Sequence, residues 1–173
     1  MESKAKLFGH AIHPMLIVFP LGLLPVAVIF DIIGLVTKRG QWHDVAFYLI
    51  AAGVLGGLLA AIFGTIDWVA IPAGTRAKQI GLTHGAGNVV VVVFFGTSWL
   101  LRYAAPAAPS TLAVALGCVG LALALFTAWL GGELVERLGV GVDKGAHLNA
   151  PSSLSDSPAG ENAIPAQPGA GQS

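Results

Sequence analysis

The histidines of this sequence are the residues whose type and spacing most favour chemistry. His10 and His13 precede the first long apolar stretch, and His84 opens the third. A neutral imidazole coordinates haem iron or a transition metal through one ring nitrogen. Axial ligation of haem b needs two histidines from different helices, and His13 with His84 meets that need. His10 and Asn88 are further candidates for contact with such a cofactor.

A divalent metal is the alternative ligand for these residues. Histidine with a carboxylate suits transition metals, and the candidate ligands are His10, His13, His84 and Asp67. No tight motif such as C-x-x-C-H or H-E-x-x-H accompanies them. Each of these residues also has a structural interpretation, as an interfacial side chain, a helix terminus or an interhelical hydrogen bond.

Long apolar stretches must position these polar residues. The 173-residue chain is 55% hydrophobic and 10% charged, with a mean hydropathy of +0.77. Four stretches have about the 20 residues that a bilayer core of about 30 Å requires: 15–36, 45–66, 85–103 and 112–132. We therefore predict an all-α membrane protein. Short connections make its four transmembrane helices an up-down-up-down bundle, and Pro20 and Pro25 predict a kink in the first.

The domain organisation follows from a change in composition. Residues 1–144 form the predicted transmembrane domain, and residues 145–173, rich in Pro, Gly, Ser and Ala, form a predicted disordered tail. The formal net charge is zero, which argues against nucleic acid as a partner. The single cysteine, Cys118, excludes an internal disulfide.

The predicted topology brings polar residues from all four helices to one membrane face. Charged groups near hydrocarbon usually face the bundle interior, pair with one another and mark a site. A polar cluster of Asp67, Arg76 and Glu133 is expected beside the histidines. This face also carries both termini and six basic residues against three on the other, which favours cytoplasmic termini.

Three stretches resemble one known family. They are GHAIHPMLIVFPLGLLPVAVIFDIIG, FGTIDWVAIPAGTRAKQIGLTHGAGN and WLGGELVERLGVGV. Together they resemble the bacterial membrane family called domain of unknown function 2231. The matching positions are His10, His13, Pro14, Asp67, His84 and Glu133, while Glu136 stands where relatives often have an aromatic residue. The resemblance implies four membrane helices in a bacterial cytoplasmic membrane and no established activity. Some relatives are joined to Rieske-type or cytochrome c domains, which suggests redox company.

Two functional hypotheses follow from these observations. The first is a membrane redox module that binds haem b, or a metal, at one membrane face, with quinone as a candidate partner. The second is a non-catalytic accessory or scaffold subunit of a larger respiratory or photosynthetic complex. A transporter is less favoured, because inverted repeats and midplane charges are missing. Neither of the two favoured hypotheses makes the chain an enzyme by itself.

Overall fold

The computed structural model describes residues 1–161. Its helices are α1 (Ile12–Leu16), α2 (Val18–Thr37), α3 (Gln41–Ala70), α4 (Arg76–Leu101) and α5 (Thr111–Gly132), and a π-helical turn follows at Glu133–Arg137. Two short antiparallel strands, β1 (Lys6–Leu7) and β2 (His10–Ala11), precede α1. Four helical segments are long and apolar enough to cross a membrane, with α1 and α2 together forming the first. The predicted all-helical, four-span fold is confirmed.

The first span is interrupted at Ile17, between α1 and α2. Pro20 has no N–H to bond the carbonyl of Leu16, so the regular helical pattern cannot continue through this turn. The Ile17 amide nevertheless donates to the His13 carbonyl and the Leu21 amide donates to the Ile17 carbonyl, so α1 and α2 continue as a single span. Pro25 lies inside α2. The interruption agrees with the predicted kink.

The helices pack as two helical hairpins. The first hairpin comprises α1, α2 and α3, and the second comprises α4 and α5. Packing is most extensive within each hairpin, while α3 with α4 and α2 with α5 join the two. The core includes Leu24, Ile50 and Phe95, all at most 2% exposed. Most large apolar side chains on the outer faces are exposed, as expected for helices whose outer surface is solvated by lipid.

Matching close approaches occur in the two hairpins. Gly53 of α3 packs against the side chain of Leu24, and a Cβ on that glycine would come within 2.6 Å of it. Gly120 of α5 packs against Phe95 in the same way, at 2.9 Å. Leu24 and Phe95 occupy corresponding positions of α2 and α4, so the second hairpin repeats the contacts of the first.

The N-terminus meets the segment that follows α5 at one end of the bundle. After the π-helical turn, Gly139 and Gly141 adopt positive φ angles of 61° and 83°, which glycine tolerates without strain. This lets the chain turn back, so that the Met1 ammonium donates to the Gly139 carbonyl and the Gly141 amide donates to the Met1 carbonyl. We call this end the terminus side and the opposite end the loop side.

The predicted tail is described only in part. Residues 145–161 contain turns and bends but no helix or strand. They contact the rest of the chain through Ser153, whose hydroxyl lies 3.0 Å from His10 Nε2. The remaining part of the predicted disordered tail, 162–173, lies outside the described residues.

Candidate functional site

His13 is fixed against the second span. It lies in the first turn of α1, and its Nδ1 lies 2.8 Å from the carbonyl oxygen of Ala60 on α3. Gly64, one helical turn further along α3, faces the imidazole. A Cβ at Gly64 would lie only 2.9 Å from ring atoms Cε1 and Nδ1. The ring therefore occupies a space that a glycine on the neighbouring helix leaves open.

His84 is fixed against the fourth span in the same manner. Its Nδ1 lies 2.8 Å from the carbonyl oxygen of Thr127 on α5. Gly131, one turn beyond Thr127, faces the ring, and a Cβ there would lie 3.1 Å from Cε1. Asn88 adds contacts, since its Nδ2 donates to the His84 carbonyl at 2.9 Å and lies 3.2 Å from His84 Nε2. The Thr127 hydroxyl in turn donates to Asn88 Oδ1 at 3.0 Å.

The two histidines are therefore equivalent positions of a repeated arrangement. His13 lies in the first turn of α1, whereas His84 lies about two turns inside α4. In each hairpin the histidine contacts a carbonyl on the following helix, and a glycine four residues after that carbonyl accommodates the ring. The structure thus places His13 and His84 at the same end of the bundle, one from each hairpin.

The hydrogen bonds assign the ring tautomers. A backbone carbonyl only accepts, so Nδ1 of each ring carries the proton and Nε2 carries the lone pair. Metal-ligating histidines usually donate their other N–H to a carbonyl in this way, which fixes ring orientation and raises ligand basicity. Both rings are thus held in the tautomer that can coordinate a metal through Nε2. The same bonds also satisfy these polar groups as structural contacts.

His10 and Asp67 have other partners. His10 is exposed and lies beside Ser153. The Asp67 carboxylate accepts from the Ser3 hydroxyl at 2.8 Å and from the Lys4 amide at 2.7 Å. Asp67 therefore anchors the N-terminal segment to the end of α3. Within residues 1–161, no group of three or more His, Cys, Asp or Glu side chains has a geometry suited to a metal ion.

The expected polar cluster forms in part. Arg76 Nη2 lies 2.6 Å from Glu133 Oε1, which joins the start of α4 to the π-helical turn. Asp67 is bonded to the N-terminal segment rather than to either of these residues. Lys78 instead donates to the Trp68 carbonyl at 2.7 Å and covers the Trp68 ring. These contacts close the connection between α3 and α4.

The family model for DUF2231, described as a predicted membrane protein, matches residues 9–144. The chain belongs to this family. The match to DUF2231 spans both hairpins and all the predicted site residues. No curated protein matches the chain significantly. No solved structure matches it significantly either.

A second polar group lies at the loop side, where sequence reasoning expected no site. Asp31 Oδ1 accepts from Arg102 Nη1 at 2.9 Å and lies 2.8 Å from His43 Nδ1. Asp31 and Arg102 are each 1% exposed. Arg102 also donates to the hydroxyl and the carbonyl of Ser98. The sequence does contain a signal for this pairing. Asp31 and Arg102 are 71 positions apart, as are His13 and His84, so Asp31 and Arg102 also occupy corresponding positions of the two hairpins.

Proposed function

We propose that this membrane protein is a redox module for haem b, which His13 of the first hairpin and His84 of the second would hold. The observation that supports the proposal is the matched pair of Nδ1–H bonds, His13 to Ala60 and His84 to Thr127, each 2.8 Å long. Both leave Nε2 as the ligand nitrogen. When bound, haem b supplies reversible one-electron transfer.

The donor set suits the iron of haem b. Two neutral imidazoles from different helices are the ligands that bis-histidine haem proteins use. Each ring is oriented by its own hydrogen bond, so little side-chain freedom remains to be lost on binding. Equivalent positions in two repeated hairpins also suit an iron whose two axial ligands are identical.

Asn88 is the residue that must adjust. Its Nδ2 lies 3.2 Å from His84 Nε2 but only 2.9 Å from the His84 carbonyl. If iron takes Nε2, the amide can keep its shorter bond to the carbonyl, and its Oδ1 can keep the Thr127 hydroxyl. Asn88 then holds the backbone of the ligand helix rather than the ligand nitrogen.

Arg76 and Lys78 give this end of the bundle a cationic surface. Both lie in the first turn of α4, beside the connection from α3. The Arg76 side chain is largely exposed although it pairs with Glu133. Guanidinium and ammonium groups at this depth suit the propionates of haem.

The deciding experiment is a visible spectrum of the protein purified in neutral detergent, oxidised and then dithionite-reduced, before and after reconstitution with hemin. We expect a Soret band and the sharp reduced bands of low-spin bis-imidazole haem. His13→Ala and His84→Ala should each abolish the low-spin signal. His147→Ala is the matched control, because His147 follows both hairpins in the chain and its ring nitrogens contact only the Glu161 carbonyl and the Asn149 amide among the described residues.

The folded state of each variant is checked by circular dichroism and size-exclusion chromatography. Wild-type protein that stays colourless after reconstitution overturns the haem proposal and leaves an accessory-subunit role as the better explanation. A bound metal ion without porphyrin, lost in both His→Ala variants, also overturns it and favours the metal alternative.

We also propose a bacterial cytoplasmic membrane location with the terminus side in the cytoplasm. The basic residues Lys4, Lys6, Arg76, Lys78, Arg137 and Lys144 belong to the terminus side. On the loop side Arg102 is neutralised by Asp31 inside the bundle, so Lys38 and Arg39 are the exposed basic residues there. The asymmetry favours a cytoplasmic terminus side. A reporter active only in the cytoplasm should work when fused to the C-terminus and fail when inserted after Ala107, and the reverse result excludes this orientation.

A further inference from the structure

A pocket opens at the loop side, at the opposite end of the bundle from His13 and His84. Its volume is about 270 Å³, and its lining includes Lys38, Arg39, Gly40, His43 and the loop 107–109. Lys38 and Arg39 are exposed, and neither side chain makes a hydrogen bond or ion pair within residues 1–161. The pocket therefore has two free cations at its rim.

His43 lies at the buried side of this pocket. It is 6% exposed, and its Nδ1 is bonded to Asp31. Its other ring nitrogen, Nε2, has no hydrogen-bond partner in the described part of the chain, yet it is not sealed from solvent. Nε2 lies against Gly34, where a Cβ would come within 2.6 Å, and Gly34 also lines the pocket. A buried imidazole thus presents one unpartnered nitrogen to the pocket.

The start of α3 adds to this end of the bundle a backbone amide that has no partner among the described residues. Gly40, its N-cap, has no side chain that could accept from the first amides of this 30-residue helix. The amides of Trp42 and His43 bond to the Arg39 and Gly40 carbonyls, while the Gln41 amide has no backbone partner outside the helix pattern. This one amide and the helix dipole make the start of α3 favourable for an anion.

We propose that this pocket binds a phosphate group, with Lys38, Arg39 and the start of α3 as its donors. Lys38 and Arg39 supply charge at the rim. The His43 ring donates from Nδ1 to Asp31, so its unpartnered Nε2 can accept a hydroxyl hydrogen of the ligand from below. Since Arg102 pairs with Asp31, the buried carboxylate does not leave a net negative charge beneath the anion.

The charged groups around His43 agree with an anionic ligand. Of its neighbouring elements, α2 contributes Asp31 and the terminal Lys38, and α4 contributes Arg102 at its end. The connection to α3 contributes Arg39, and the first turn of α3 contributes Asp44. The facing loop 107–109 has no ionisable side chain. Lys38, Arg39 and Arg102 therefore outnumber the two carboxylates, Asp31 and Asp44.

The phosphate can come from an anionic phospholipid headgroup or from solution, and the test separates these sources. The purified protein, in neutral detergent, is titrated with inorganic phosphate, with dioctanoyl phosphatidylglycerol or with dioctanoyl phosphatidylcholine. Binding is read from the thermal midpoint and by native mass spectrometry. Stabilisation by phosphatidylglycerol alone identifies a lipid headgroup, and stabilisation by inorganic phosphate as well identifies a general phosphate site. No response to either anionic ligand overturns the proposal.

Matched variants tie the binding to this pocket. Lys38→Gln with Arg39→Gln should weaken binding about tenfold or more, since charge-assisted contacts are lost. Lys4→Gln with Arg137→Gln removes the same charge from exposed positions of the terminus side and should leave binding unchanged. His43→Gln tests the buried contact to the ligand. If the His43→Gln protein fails to fold, the Lys38→Gln, Arg39→Gln variant still tests the proposal. Equal weakening by both double variants would show non-specific charge attraction and overturn the assignment. None of these outcomes depends on whether haem is bound.

Discussion

Asp31 and Arg102 form an ion pair inside the membrane domain, with 2.9 Å between Oδ1 and Nη1. The pair joins α2 of the first hairpin to the end of α4 in the second. Both side chains are almost completely buried, and Ser98 and His43 satisfy further donors and acceptors. A buried charge without its partner is far more costly than an intact pair.

Removing one member of this pair should therefore destabilise the bundle strongly. We expect Asp31→Leu and Arg102→Met to lower the free energy of unfolding by about 3–5 kcal/mol each. The double variant should be more stable than either single variant, because no unpaired charge remains. Unfolding by denaturing detergent gives all three values. A double variant whose loss equals the sum of the single losses would show that the two residues do not interact.

Asp67 should hold the N-terminal segment to α3. Its carboxylate accepts from the Ser3 hydroxyl and the Lys4 amide, and hydrogen bonds to charged groups contribute about 1.5–3 kcal/mol each. Asp67→Asn replaces a carboxylate oxygen with an amide N–H, which cannot accept from the Ser3 hydroxyl or the Lys4 amide. Residues 1–11 should then detach and become susceptible to protease while the helices stay folded. Asp44→Asn is the control, since no hydrogen bond involves the Asp44 side chain among the described residues. Equal protection of the N-terminus in both variants would contradict this role.

The hydropathy of the sequence predicts the four spans, because a bilayer demands about 20 apolar residues for each crossing. It also predicts the shared face of His13 and His84, because short connections force neighbouring helices to alternate in direction. The pairing of Arg76 with Glu133 follows from the same topology. These features depend on order along the chain, which a single sequence displays.

The contacts of Asp67 and Arg102 were not predictable by the same argument. Arg102 lies at the end of the predicted span 85–103 and was counted among the three basic residues of the loop side, and nothing local shows that it turns into the bundle. Asp67 was assigned to the cluster of Arg76 and Glu133, but the N-terminal segment folds back and bonds to its carboxylate instead. Such contacts depend on how distant segments fit together. The hairpin repeat was missed as well, because few residues are identical at corresponding positions of the two hairpins, apart from such pairs as His13 with His84 and Gly64 with Gly131.

Contacts at the terminus-side surface should depend on pH. The Lys144 amide, and then the Lys6 ammonium, lower the pKa of Glu2 below its ordinary value of 4.5. The bond to Asp143 raises the pKa of Lys6 above 10.5. A carboxyl group whose pKa is lowered in the folded state stabilises the fold at any pH above its unfolded-state pKa. That stabilisation is lost as the pH falls through the folded-state pKa. A raised lysine pKa stabilises it below 10.5 and loses that effect as pH rises through the folded value.

Both contributions are therefore complete near neutral pH. Below pH 4.5 the Glu2 contact to the Lys144 amide should be lost. The chemical shift of the Lys144 amide proton, followed through an acid titration, reports the change directly. Glu2→Gln should remove the acidic transition from that titration. A transition that persists in the variant would have to come from another carboxyl group.

Gly64 and Gly131 should tolerate alanine poorly, because each faces the ring of one of the two proposed haem ligands. A Cβ would lie 2.9 Å from His13 ring atoms at Gly64 and 3.1 Å from His84 Cε1 at Gly131. Alanine at Gly64 must displace the His13 ring or separate α1 from α3, whereas at Gly131 a shift of a few tenths of an ångström suffices. We expect Gly64→Ala to lower the thermal midpoint more than Gly131→Ala, with a cost of about 1–3 kcal/mol for an overpacked contact.

Gly22→Ala and Gly96→Ala are the matched controls. Both positions lie inside helices, and a Cβ at either would meet nothing within 4 Å. Alanine should stabilise these helices by up to about 1 kcal/mol, because it loses less backbone entropy on folding. Thermal unfolding in detergent separates the two classes by sign. If Gly64→Ala behaves like Gly22→Ala, the imidazole of His13 does not lie in the space beside Gly64, and its hydrogen bond to Ala60 would also be in doubt.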